Sequence, residues 1–405
     1  MLLYDLSHTS HSRARTGVQR VALELRRALA NETEGLLEIT HDPFAGYWRP
    51  LRNWELKALD APPEAAKRRG AYWSLEHQIR GYLEKALRQP KTANTLPAQP
   101  VGYFTPDIFT TRTGRNLPEL FDHLQCPKVA LFHDAISLRL PHLTPSSAVS
   151  RFPSYMSELH KFDGVLSISE DSRQSLLGYW EWAGWSNNPE VKVLPLGLDH
   201  LPTAKLRLQG NPPPAQTEAP GPPTILSVGS LEGRKNHRSL IEACELLWIE
   251  GIDFNLQIIG TLQRDTGQAA LDRLQELKQT GRPIQYDGWL DDDALESAFK
   301  KSAFTVYPSL LEGFGLPVWE SLLHGKPCIC SSIGATGETA QGGGCKTTDT
   351  GNPAALAGTI KSLLADPGEL AALAAEAAGR TPPRWADCAR QLLDWMPHIS
   401  CGSEG

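Results

Sequence analysis

The chain has few cysteines and no large net charge of either sign. The 405 residues include seven cysteines, which are too few and too scattered for a disulfide framework and which fit a reducing cytoplasm. The closest pair, Cys328 and Cys330, lies in an apolar run, so both are predicted to be buried thiols of a strand. The formal net charge of −6 argues against general nucleic-acid binding, and we expect no nucleic-acid partner.

Long hydrophobic runs are also missing. The chain starts with MLLYDL, which has neither the basic start nor the long apolar core of a signal peptide, and no later stretch is long enough to span a bilayer. A hydrophobic content of 40% and a charged content of 21% are typical of a globular protein. The length predicts two domains, and we expect a cytoplasmic location.

Short apolar runs alternate with helical patterns along the chain, which predicts parallel sheets covered by helices on both faces. These runs cover residues 2–6, 37–40, 101–105, 128–132, 164–169, 191–196, 224–230, 255–260, 284–287, 302–307 and 329–333. The proline-rich residues 202–223 are predicted to be a linker between domains at 1–201 and 224–383. Residues 354–378 and 385–395 are predicted to be helical.

The most informative stretch is PSLLEGFGLPVWESLLHGKP at residues 308–327, which predicts a strand end, a tight loop and a short helix. Gly313 and Gly315 allow close approach of a ligand to the main chain, and the free N–H groups at the start of the helix suit an anion. Glu312 and Glu320 flank this anion site and could accept hydrogen bonds from sugar or ribose hydroxyls. Alternatively, Glu320 complements the helix dipole and Glu312 is a solvated loop residue.

This E-G-F-G-L-P…E…G-K-P pattern resembles the donor-site signature of retaining glycosyltransferases of family 4, which have the GT-B fold. The resemblance implies two Rossmann-like domains facing across a deep cleft, with a C-terminal helix (residues 384–405) crossing back to the first domain. It also implies that Glu312 and the backbone after it hold the donor sugar, and that Glu320 holds the nucleotide ribose. The donor-site residues implied in this stretch are Glu312, Gly313, Phe314, Gly315, Leu316 and Glu320.

The sequence SLEGRKNH at residues 230–237 places two cations after a strand and before a helix, which suits a diphosphate. The segment resembles the diphosphate site of the same family, and this implies roles for Arg234 and Lys235 in binding and catalysis. Many members of this family have Arg at the position of Ser230, and Arg234 is the residue that could replace it here. The turn with Trp289 and Leu290 is implied to meet the nucleotide base, and the acidic run after it is predicted to start a helix rather than to bind a metal.

In the first domain, the strand over residues 128–132 ends at His133, and ligands bind at the carboxyl ends of parallel strands. The resemblance implies that His133 contacts the donor sugar and that Asp134 orients a loop. Gly17 is predicted to lie near the donor phosphate or the acceptor. Arg20 is interpreted as an acceptor contact or a solvated residue.

Residues 64–89 are predicted to form a helix with interleaved basic and aromatic residues. Two interpretations are open: a helix at the membrane surface, or an ordinary amphipathic helix packed on the sheet. Trp48 and Trp54, in the loop region before it, could stack on a sugar or simply pack. The role of Glu338, in a loop shared with the family, is not assigned.

The resemblance implies transfer of a sugar with retained configuration from a nucleotide-diphosphate sugar to a hydroxyl of a glycan or lipid-linked glycan. The R-K-N-H form resembles bacterial mannosyl- and rhamnosyltransferases of surface polysaccharide synthesis, which favours GDP-mannose as donor. No metal or other cofactor is expected, because fixed cations can replace Mg²⁺. The acceptor is expected at the inner membrane, and the protein is expected to contact the cytoplasmic face of that membrane peripherally. The alternatives are a GT-B-fold sugar-nucleotide epimerase and a non-catalytic scaffold that binds a nucleotide-sugar.

Overall fold

Two mainly parallel sheets, one from each half of the chain, organise the fold. The computed structural model describes residues 1–12, 16–61, 72–87, 96–97, 99–214 and 221–399. In the described residues, the first sheet has the strand order β3-β2-β1-β4-β5-β6-β7 and the second has the order β10-β9-β8-β11-β12-β13. All pairs are parallel except β2 with β3.

The strands of the first sheet are β1 Leu2–Asp5, β2 Leu36–Asp42, β3 Tyr47–Pro50, β4 Gly102–Thr105, β5 Lys128–Phe132, β6 Gly164–Ser167 and β7 Glu190–Val193. Those of the second sheet are β8 Thr224–Val228, β9 Asn255–Ile259, β10 Ile284–Asp287, β11 Phe304–Tyr307, β12 Cys328–Ser331 and β13 Cys345–Thr348. The central strands are buried on both faces, which explains why they are continuous apolar runs in the sequence.

The helices cover both faces of each sheet. Those before residue 210 are α1 Gly17–Glu32, α2 Asn53–Asp60, α3 Leu75–Leu87, α4 Thr111–Arg115, α5 Leu117–His123, α6 Ile136–Arg139, α7 Ser146–Val149, α8 Phe152–Leu159, α9 Glu170–Trp182 and α10 Pro202–Leu208. The others are α11 His237–Ile249, α12 Arg264–Gln279, α13 Asp292–Lys301, α14 Leu316–Leu323, α15 Gly334–Ala340, α16 Pro353–Ala365, α17 Pro367–Gly379 and α18 Trp385–Trp395. Short 3₁₀ turns occur at Thr9–His11, Pro141–Leu143, Gly233–Lys235 and Met396–His398.

The strand order places a switch point in each sheet. In the first sheet β1 lies between β2 and β4, and in the second β8 lies between β9 and β11. Connections leave such a central strand in opposite directions, so a crevice opens beyond its carboxyl end. In the second sheet, the two loops that border this crevice follow β8 and β11, and they contain the cation pair and Glu312.

The last helix, α18, returns to the first domain as predicted. Trp385 and Trp395 lie in the same buried apolar cluster as residues of β1 and α1. The backbone N–H of Trp385 donates to Asp199 Oδ1 at 2.8 Å, which fixes the start of the helix. A Cβ on Gly164 would lie 2.7 Å from the Trp395 ring, so the glycine lets the indole approach the sheet.

Several predicted elements differ from those observed. The predicted helix over residues 354–378 is two helices, because Asp366 is the N-cap of α17 and Pro367 cannot continue α16. The first residues of the predicted linker form α10. The short strands β3 and β13 were not predicted. Within the predicted helix at 64–89, residues 72–74 are not helical and α3 begins at Leu75, while residues 64–71 and 88–89 lie outside the described residues.

Candidate nucleotide-sugar site

The loop between β11 and α14, residues 308–315, forms one side of the site and is called the donor loop here. It ends at Gly315, which has φ +82° and is the N-cap of α14. Only glycine adopts this conformation without strain. A Cβ at this position would also lie 3.1 Å from Thr339 Oγ1. Pro317 has no N–H and the Val318 N–H donates to the Gly315 carbonyl oxygen at 3.0 Å, so the Leu316 N–H is the donor with which this helix start can receive an anion.

Glu312 joins the donor loop to the cation pair. Its Oε2 lies 2.9 Å from Arg234 Nη1 and its Oε1 lies 2.5 Å from Lys235 Nζ. Arg234 also pairs with Glu232 at 2.7 Å. Burial opposes ionisation of Glu312, but the charges of Lys235 and Arg234 outweigh it and hold its pKa at about 2. We call Arg234, Lys235 and Glu312 the ion cluster.

Glu320, the fifth residue of α14, faces the same region. Burial raises its pKa, and the nearby charges of Arg20 and Lys235 partly offset that rise. Arg20 belongs to α1 in the first domain and its side chain is exposed. Glu320 therefore lies within electrostatic reach of Lys235 from its own domain and of Arg20 from across the cleft.

The first domain contributes His133 and Asp134 to the opposite wall. His133 Nε2 lies 2.7 Å from the Pro106 carbonyl oxygen, to which it donates, and burial lowers the pKa of this imidazole. Burial raises the pKa of Asp134, which lies close to Arg234 and Glu312. A Cβ on Gly313 would lie 3.1 Å from the His133 carbonyl oxygen and 3.3 Å from Asp134 Oδ2. The two domains therefore meet directly at the donor loop.

For the other predicted donor residues the structure gives exposure and local packing, and their contact with a donor stays a prediction. Ser230 is half-buried after β8, and Gly17 starts α1 with open space around it. After β10, the Trp289 side chain is 77% exposed, whereas Leu290 packs with the cluster around Phe299. Phe314 and Leu316 are partly buried against a small cluster with Leu323.

The two tryptophans considered for sugar stacking pack inside the first domain. Trp48 is buried in β3, 5.2 Å from the His41 ring. Trp54 in α2 stacks on His77 at 3.8 Å. Neither joins the residues around the ion cluster.

Sequence reasoning missed the residues that shape the loop after β1. Asp107 accepts from the backbone N–H groups of His8 and Thr9, both at 2.9 Å, and so holds this loop against the end of β4. Beside it is a cavity of about 350 Å³ lined by His8, Thr16, Gln19, Thr110, Arg151 and Glu158, among others. The signal available in the sequence was the position of both loops after strands that flank a switch point.

The best arrangement for a soft metal lies away from this crevice. Cys328, Cys330 and Cys345 are the one group of three or more His, Cys, Asp or Glu side chains, among the residues that the structure describes, close enough to share an ion. Cys328 is aligned with Cys345 in the β12–β13 pair, which brings the thiols together. Cys328 and Cys330 are buried among apolar side chains that include Val318 and Leu322, as predicted for strand thiols. We interpret the group as core thiols.

Comparison with known proteins decides the family of the second domain. The family model described as glycosyl transferases group 1 matches residues 212–380, which contain the ion cluster and the donor loop. This segment is a group 1 glycosyl transferase domain.

Three relatives that match more than half of the chain are bacterial mannosyltransferases. Serotype-specific mannosyltransferase WbdA of Escherichia coli is 26% identical over 84% of this chain and 40% of that protein. O-antigen chain mannosyltransferase B of the same species is 26% identical over 66% of this chain and 69% of that protein. A GDP-mannose-dependent phosphatidylinositol dimannoside mannosyltransferase of Mycobacterium tuberculosis is 25% identical over 59% of each. The chain spans about 40% of the length of the WbdA proteins.

Solved structures confirm the predicted GT-B fold. Sucrose-phosphate synthase from Thermosynechococcus elongatus matches with a TM-score of 0.64 and 17% identity over 98% of both chains. Anabaena HepE in complex with UDP-glucose matches with a TM-score of 0.63 and 16% identity over 98% of this chain and 99% of that one. In the part of the chain that is described, no helix is both long and apolar enough to cross a bilayer.

Proposed function

We propose that this protein is a retaining glycosyltransferase that moves a hexose, with mannose favoured, from a nucleotide-diphosphate sugar to a hydroxyl of a glycan or lipid-linked glycan. The process it would serve is bacterial surface polysaccharide synthesis. The observation that carries this proposal is the ion cluster at the switch point of the second sheet, in which Arg234 and Lys235 follow β8 and Glu312 lies in the donor loop before α14. Fixed cations and a helix N-terminus on one crevice are what a diphosphate needs.

The chemistry requires stabilisation of a leaving diphosphate. The bond between the sugar C1 and the diphosphate oxygen breaks, and the acceptor oxygen bonds to C1 on the same face. The acceptor proton passes to a diphosphate oxygen. Lys235, Arg234 and the Leu316 N–H at the start of α14 would stabilise the negative charge that develops on the diphosphate. We propose that these fixed charges make a divalent metal unnecessary and that no other cofactor takes part.

Glu312 would act on the sugar. It stays ionised because two cations hold its pKa near 2, so a negative charge is always present beside the donor loop. An oxocarbenium-like sugar carries positive charge, which this carboxylate would offset. On the opposite wall, we propose that His133, whose carbonyl oxygen lies next to Gly313 of the donor loop, contacts the sugar near its reacting carbon.

The preference for GDP-mannose rests on the relatives, several of which are mannosyltransferases and one of which is GDP-mannose-dependent by name. The acceptor would bind in the first domain, where the cavity beside Asp107 opens near α1. The net charge of −6 disfavours a nucleic acid as acceptor.

A peripheral contact at the cytoplasmic face of the inner membrane is the second part of the proposal. Helix α3 exposes Leu75, Ile79, Tyr82, Leu83 and Leu87, each more than half exposed and all on one side of the helix. An exposed apolar stripe of this kind suits insertion among lipid headgroups. It would bring the cleft to a lipid-linked acceptor.

A thermal-shift screen of GDP, UDP and dTDP followed by a transfer assay tests the proposal. GDP is expected to raise the melting temperature most, because a ligand of the folded state stabilises it by mass action. With GDP-mannose, a glycan acceptor should gain a sugar with retained configuration. Conversion of the donor alone would instead indicate an epimerase, and donor binding without transfer to any acceptor would indicate a scaffold.

A further inference from the structure

Helices α9 and α15 connect the two domains beside the proposed site. The Glu338 carboxylate of α15 accepts two backbone hydrogen bonds from α9, with Oε2 2.9 Å from Glu170 N and Oε1 2.6 Å from Asp171 N. These N–H groups lie in the first turn of α9 and have no partner within the helix. A carboxylate is the preferred cap there, because its charge also complements the helix dipole. Here the cap comes from the other domain.

The capped turn of α9 is linked to the first-domain wall of the site. Ser169, the N-cap of α9, accepts from the Ser172 backbone N–H at 3.2 Å. The Ser172 hydroxyl donates to the His133 carbonyl oxygen at 2.9 Å. That carbonyl is the group that faces Gly313 of the donor loop. A displacement of the first turn of α9 would therefore also displace the main chain of His133.

The residue after Glu338 supports the donor loop itself. The Thr339 hydroxyl lies 3.3 Å from the Phe314 carbonyl oxygen and 3.0 Å from that of Ala335 in its own helix. Adjacent residues of α15 thus contact the two walls of the crevice, Glu338 the first domain and Thr339 the donor loop.

We propose that Glu338 is a positioning residue that clasps α9 when the cleft is closed and so sets His133 against the donor loop. It touches neither sugar nor diphosphate, and it acts through α9 and Ser172. Opening of the cleft must break both of its hydrogen bonds, so the clasp favours the closed arrangement. The catalytic part of this inference rests on the proposed transferase function, but the clasp itself does not.

Amide hydrogen exchange of the full chain tests the clasp without any ligand. In Glu338→Ala, the first-turn amides of α9 at Glu170 and Asp171 are expected to exchange about tenfold faster than in the wild type. Glu338→Gln, which keeps one acceptor oxygen, should be intermediate. The control is Glu376→Gln, because Glu376 caps the Gly344 N–H at 2.8 Å inside the second domain. Unchanged α9 exchange in Glu338→Ala, or an equal change in the control, overturns the proposal.

Kinetics with GDP-mannose separate positioning from general stability. Glu338→Ala is expected to lower kcat about tenfold while the Kd for GDP changes less than twofold, with Glu338→Gln intermediate. Equal loss of kcat and GDP affinity would show that Glu338 acts only on folding of the donor domain, and it would contradict the proposal. If neither the wild type nor any variant transfers sugar, the transferase proposal fails. The exchange experiment still tests whether Glu338 clasps α9.

Discussion

At the scale of single residues, the two cations beside the donor loop differ in how far nearby carboxylates offset their charge. Arg234 lies between Glu232 and Glu312, so its guanidinium is oriented but its charge is largely offset. Lys235 pairs with Glu312 alone among the ion pairs of the described residues, and it also influences Glu320. Lys235 is therefore the cation that a diphosphate would gain most from. The sequence predicted both cations, but it could not show that Glu312 pairs with them from 77 and 78 residues away.

The role of Glu320 can be tested with a matched ligand. Glu320→Gln is expected to weaken GDP binding about tenfold, because hydrogen bonds from ribose hydroxyls to a carboxylate are charge-assisted. The same substitution should leave binding of 2′,3′-dideoxy-GDP nearly unchanged, since that ligand has no hydroxyls to donate. Calorimetric titrations of both ligands give the comparison. Equal weakening of the two would place Glu320 away from the ribose.

His237 gives the protein a defined pH response. Burial, followed by the charge of Lys235, lowers the pKa of this imidazole to about 3, and its Nδ1 has no partner in the described structure. Because the folded pKa is below the unfolded value near 6.5, the unfolded chain binds the proton first. Stability is therefore lost as the pH falls below 6.5. By linkage, the loss attributable to His237 is about 2 kcal/mol at pH 5.

Replacement of His237 isolates this effect. Urea denaturation of wild type and His237→Leu between pH 7 and pH 5 should show that the variant loses about 2 kcal/mol less stability. All other titrating groups are common to both proteins, so the difference reports the imidazole. Parallel stability curves would mean that His237 is not buried in its neutral form.

At the scale of secondary-structure elements, buried central strands were predictable, whereas two of the four edge strands of the described sheets were not. The strand at Lys128–Phe132 is a continuous apolar run, and its observed bounds match the predicted ones. In contrast, β3 and β13 lie at sheet edges, and β13 has the sequence CKTT with little apolar content. Edge strands need only one buried neighbour, so periodicity says little about them. Pro367 was a sequence signal for the break between α16 and α17. The alanine and leucine content on both sides of it nevertheless led to the prediction of a single helix.

Gly315 is expected to control the start of α14. Gly315→Ala places a side chain at φ +82° and 3.1 Å from Thr339 Oγ1, so it should destabilise the protein by about 1–2 kcal/mol. Gly178→Ala is the control, because Gly178 lies inside α9 with open space around it. That change should stabilise by about 0.5–1 kcal/mol. Urea denaturation measures both, and equal effects would contradict the strain at Gly315.

At the scale of the whole molecule, the arrangement of two domains depends on contacts between residues far apart in sequence. Helix α18 packs on α1, and Glu338 caps α9. The family resemblance implied the crossing helix, but it left Glu338 without a role. Composition and periodicity describe one element at a time, so they cannot show which carboxylate reaches across a cleft. The parts of the candidate site that were predicted are those contained in local motifs, namely the cation pair and the donor loop.

Helix α18 should be essential for the first domain. Trp395 is 6% exposed in the core shared with α1, so Trp395→Ala is expected to cost about 3–5 kcal/mol. Asp394→Ala, at an exposed position on the same helix, should change stability by less than about 0.5 kcal/mol. Denaturant unfolding gives both values. A small effect of Trp395→Ala would show that the crossing helix is not packed as described.

The central claim is that the second domain binds a nucleotide diphosphate through Lys235 and the start of α14. The most direct measurement is a calorimetric titration of GDP, UDP and dTDP into wild type, Lys235→Met and Lys346→Met, in which Lys346 pairs with Glu369 away from the donor loop. We predict that wild type and Lys346→Met bind one of the three nucleotides with the same affinity, and that Lys235→Met binds it at least about tenfold more weakly, a difference of about 1.4 kcal/mol. Absence of binding of all three nucleotides to the wild type, or equal affinity in Lys235→Met, would contradict the account.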